Sequence, residues 1–87
     1  MIYKIYAVRD VKSGYGSLLL EQNDAVAMRN FYNAFVDPKS VLHNNRKDFD
    51  LLRIGEFDNE TGQIIVQEVK DVVAEGINYG VGEKNEV

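Results

Sequence analysis

The chain contains no cysteine, which excludes a disulfide framework and any thiol chemistry. It has a single histidine, His43, and a transition-metal site needs more nitrogen or sulfur ligands than that. No apolar run approaches the length of a transmembrane helix. No basic segment followed by an apolar one opens the chain; Met1 leads straight into a strand-like run, so no secretory signal is read. These absences predict a protein that works in the reducing cytoplasm where it is made.

Catalytic constellations are also missing. Ser13, Ser17 and Ser40 have no cue linking them to a His–Asp relay. Asp48, Asp50, Glu56, Asp58 and Glu60 are dense in carboxylates but lack the spacing and glycine position of a calcium loop. So small a domain leaves little room for the cleft of a paired-carboxylate hydrolase. Gly14-Tyr15-Gly16 is a lone Gly-x-Gly followed by an apolar run, not by the helix N-terminus that a phosphate-cradling loop requires. The expectation is a non-enzyme with no cofactor, no small-molecule substrate and no membrane contact.

What is present is one amphipathic helix between strand-like runs. Over Asn23–Val36, Ala27, Phe31, Ala34 and Phe35 recur at the spacing of one helical face, with Met28 and Tyr32 beside it. Asn23 or Asp24 caps the helix, and Pro38 ends it by pushing Asp37 out of the α region. Ile2–Arg9 alternates as a strand that is apolar on both faces, with Ile2, Tyr6 and Val8 against Tyr3, Ile5 and Ala7. A turn at 13–16 leads into a second strand, Ser17–Leu20. After a polar loop over 39–48, Phe49–Phe57 reads as a third strand, with Leu51, Gly55 and Phe57 on one face and Leu52 and Ile54 on the other. Asp58–Gly62 reads as a tight hairpin and Gln63–Val69 as a fourth strand. Lys70–Glu75 is read as one or two helical turns ended by Gly76. The 87 residues suit one domain. The prediction is an α+β fold, a small ββαββ antiparallel sheet with one helix on one face, over residues 1–77, followed by a mobile tail over 78–87.

The formal net charge of −4 is unevenly spread: residues 1–47 carry a net +3 and residues 48–87 a net −7. The first half is therefore the part able to face a polyanion. Arg9, Lys12 and Tyr15 cluster in the first hairpin, near Tyr3 and Tyr6, and Arg46 and Lys47 follow the helix. Cations along a backbone with rings under bases is how single-stranded nucleic acid is held. Arg9, Lys12, Tyr15, Arg46 and Lys47 form the candidate contact set.

Three stretches carry a resemblance: Tyr3–Asp10, Asn23–Phe31 and Ile54–Gly62. In order and spacing they resemble the small non-structural protein of gokushovirus-type microviruses, phages with single-stranded DNA genomes, over roughly residues 1–70. The resemblance implies a phage accessory protein of the host cytoplasm. It would act in genome replication and single-strand synthesis by binding single-stranded DNA or replication proteins. The alternative is an interaction module that engages a host or phage protein through the acidic second half, without nucleic-acid contact. One helix covers only one face of a four-stranded sheet, and Ile64 and Val66 against Ile65 make the fourth strand two-sided as well. A homodimer burying the second face is therefore expected.

Overall fold

A computed structural model describes residues 1–80. Strands β1 (Ile2–Asp10), β2 (Gly14–Glu21), β3 (Phe49–Asp58) and β4 (Ile64–Glu75) form one antiparallel sheet in the order β2-β1-β3-β4. Helix α1 (Asp24–Asn33) packs on one face. A short helix α2 (Val41–Asn44) and a 3₁₀ turn, Arg46–Asp48, lead into β3, and a second 3₁₀ turn, Gly76–Asn78, follows β4. This is the ββαββ order expected. No helix among the described residues is long and apolar enough to cross a membrane.

Asn23 is the cap of α1: its side chain accepts the Val26 N–H at 2.9 Å, and Asp24 occupies the first turn. The regular helix stops at Asn33, earlier than Val36, because the chain tightens there into turns of the Phe35 N–H to Tyr32 O kind. That tightening still delivers Phe35 to the core. Ala27, Phe31 and Phe35 pack with Tyr6, Phe49, Leu51 and Ala74 of the sheet, and Phe31 meets Phe35 edge to face at 4.9 Å. A polar chain fastens the start of α1 to the sheet. The Tyr6 hydroxyl donates to Asp24 at 2.7 Å, Arg53 donates to the other Asp24 oxygen, and Arg53 also donates to Asp71 at 2.6 Å.

Two readings of the sequence are corrected. Lys70–Glu75 is not helical but the second half of β4, with Asp71, Val72, Ala74 and Glu75 paired to Arg53, Leu52, Leu51 and Asp50. Strand three does not alternate cleanly. Ile54 is an extra residue opposite the Ile5–Tyr6 step of β1, and a bulge reverses the side-chain parity beyond it. Leu51 therefore faces α1, while Leu52 joins Gly55 and Phe57 on the other face. The second strand also starts earlier than expected, at Gly14, with a bulge at Ser17, whose φ is 44°.

The face opposite α1 carries Tyr3, Ile5, Ala7 and Arg9 of β1, with Leu18 and Leu20 of β2, Leu52 and Phe57 of β3, and Ile64, Val66 and Val72 of β4 in register beside them. Ile5, Ala7 and Leu52 are buried at its centre; the β2 and β4 residues around them are exposed. Gly55 lies in this face where β4 comes close: a Cβ there would stand 2.5 Å from the Ile65 carbonyl oxygen. The expected tail begins inside the fold, since Asn78 closes the second 3₁₀ turn and Tyr79 stacks on Phe35. Its remainder, residues 81–87, lies outside the described residues.

Candidate nucleic-acid interface

The β1–β2 turn is built by Asp10. Its carboxylate accepts the Lys12 N–H at 2.9 Å and the Ser13 hydroxyl at 3.1 Å, and Gly14 follows with φ of 118°, a conformation that glycine takes without penalty. The Val11 N–H then donates to the Asp48 carbonyl at 3.0 Å, tying this turn to the Arg46–Asp48 turn. Lys12 and Lys47, distant in sequence, thereby line one shallow groove of about 400 Å³ with Asp10, Asn45 and Asp48. Arg46 and Lys47 border a second groove of about 400 Å³ with His43 and Ile77.

The scaffold beneath is held locally. Ser40 caps α2 by accepting the Leu42 N–H at 3.1 Å, and Asn44 donates to the Pro38 and Ser40 carbonyls at 2.9 and 3.0 Å. His43 is not a free loop residue. Its Nδ1 lies 2.6 Å from the Phe35 carbonyl, which only accepts, so Nδ1 carries a proton. Arg46 sits over the Tyr79 ring at 5.9 Å, and that ring stacks on Phe35 at 5.4 Å.

The structure thus gathers Lys12, Arg46 and Lys47 at one end of the sheet. Among the described residues none of the three forms an ion pair. Arg9 and Tyr15 are cross-strand neighbours on the helix-free face near the same end. Arg9 is engaged: it donates to Asp50 at 2.8 Å, a bond that raises its already high pKa, and its Nε is buried without an acceptor among the described residues. Tyr15 is exposed. Asp10 and Asp48 inside the Lys12–Lys47 groove weaken its positive potential. Tyr79 was assigned to the tail by sequence reasoning; only the fold sets its ring under Arg46. No group of acidic or histidine side chains among the described residues could hold a metal ion.

No curated protein and no solved structure matches this chain. A family model does, that of the Phage ORF5 protein, over residues 3–79. That span takes in all four strands but for Ile2, both helices, every member of the candidate contact set and Tyr79, so the chain belongs to the phage ORF5 protein family.

Proposed function

We propose that this phage protein is a non-enzymatic accessory factor of a gokushovirus-type phage, acting in genome replication and single-strand synthesis by binding single-stranded DNA. The three stretches that resemble the gokushovirus protein all fall within the residues the family covers. The observation that carries the reading is the convergence of Lys12 and Lys47 in one groove, with Arg46 beside them. Cations so placed neutralise successive phosphates and release counterions, while the exposed Tyr15 offers a ring nearby.

Fluorescence anisotropy with a labelled oligonucleotide at low salt tests it. Three phosphate contacts on a single strand correspond to a log–log salt slope of about −2. Replacing Lys12, Arg46 and Lys47 together by alanine should weaken binding at least about tenfold. No binding at tens of micromolar protein, on the order of the weak non-specific range, would overturn the reading. The acidic hairpin between β3 and β4, where Glu60 is 80 % exposed, favours the alternative of a protein partner bound without nucleic acid. A partner recovered from infected cells and retained after nuclease treatment would favour that alternative.

A further inference from the structure

The face of the sheet opposite α1 is apolar from β2 to β4. Leu18 and Val66 are 70 % and 74 % exposed, and Leu20, Ile64 and Val72 are about half exposed or more. We infer that this face is the contact between two copies of the chain, packed sheet on sheet about a two-fold axis. The inference is independent of any DNA binding.

Area is the first argument for a second copy. These five side chains present on the order of 500 Å² of apolar surface, toward the upper end of what soluble monomers leave bare. A stable protein pair takes about 800 Å² from each partner, and the flanking Tyr3 and Phe57 extend the patch toward that size. Arg9 on this face is paired with Asp50 at 2.8 Å, and Glu75, in register with Asp50, stands at the end of β4, away from the aliphatic centre. Pairing by strand edges is disfavoured on the β4 side. There the register jumps from Val66 to Asp71 opposite Gly55 and Arg53, and the intervening bulge blunts the edge.

Light scattering coupled to gel filtration at tens of micromolar, where modest dimers persist, is the test. The wild-type chain should run at twice its mass of 9.9 kDa. Leu18→Lys with Val66→Lys, both at exposed positions, should keep the far-ultraviolet circular dichroism and run at the mass of one chain. A wild-type chain at single mass, or a dimer that survives Leu18→Lys with Val66→Lys, overturns the interface.

Discussion

Tyr6 joins the middle of the sheet to the first turn of α1. Its ring is fully buried and its hydroxyl donates to Asp24. Burial, reinforced by the Asp24 carboxylate, holds its pKa far above the usual tyrosine range. An unfolded chain ionises this phenol near pH 10, while the fold keeps it neutral. This contribution is thus fully present below about pH 10 and is lost as the pH rises above it. Tyr6→Phe keeps the ring, removes one hydrogen bond at a cost of about 1 kcal/mol, and abolishes this share of the alkaline loss. Urea titrations near neutrality and near pH 11 check it; equal losses in both proteins would contradict the assignment.

Asp24 shows the opposite sign. Burial pushes its carboxyl up, but hydrogen bonds from Arg53 and Tyr6 and the Arg53 charge outweigh it, and the net pKa is lowered. Its contribution is present above the ordinary carboxyl pKa of about 4 and is lost as the pH falls through the lowered value. Asp24→Asn should flatten the acid limb of the stability curve, read by urea midpoints between neutrality and strong acid.

At the scale of elements, α1 was legible because its signals are local: a capping Asn23, an apolar stripe and a following proline all lie on one stretch of chain. The bulge at Ile54 was not legible. It is settled between β3 and its neighbours, and a single strand's alternation carries no mark of it. Lys70–Glu75 misled for a related reason. Its two adjacent valines and alanine lack strict alternation, and only pairing with β3 makes it a strand. The candidate interface was half legible: the basic residues could be read, but their convergence depends on the Val11–Asp48 bond that joins two turns.

The apposition of the two 3₁₀ turns rests on Gly76. A Cβ there would overlap the Arg46 carbonyl oxygen and stand 2.8 Å from that of Phe49. Its need for glycine is steric crowding by backbone, which cannot swing aside as a side chain can. Gly76→Ala should cost about 1–3 kcal/mol and displace the Arg46–Asp48 turn. Thermal unfolding measures the first effect, and shifts of the Arg46–Asp48 amide resonances in a heteronuclear NMR spectrum report the second. An unchanged melting temperature would show that the two turns are not so closely packed.

At the scale of the whole molecule, the two surfaces answer to different forces, and salt separates them. In the proposed DNA binding the cationic end acts through phosphate neutralisation, which weakens as salt rises. In the inferred dimer the helix-free face acts through apolar burial, which screening leaves in place. Raising salt from about 0.05 M to about 0.5 M should therefore release an oligonucleotide while the dimer persists. Dimerisation also couples to folding by mass action. If two chains unfold from one dimer, stability rises by about 1.4 kcal/mol for each tenfold increase in protein concentration. The urea midpoint of the wild-type chain should climb accordingly between low and high micromolar protein, and that of Leu18→Lys with Val66→Lys should stay fixed. A wild-type midpoint independent of concentration would mean that the exposed aliphatic face contributes nothing to holding the fold together.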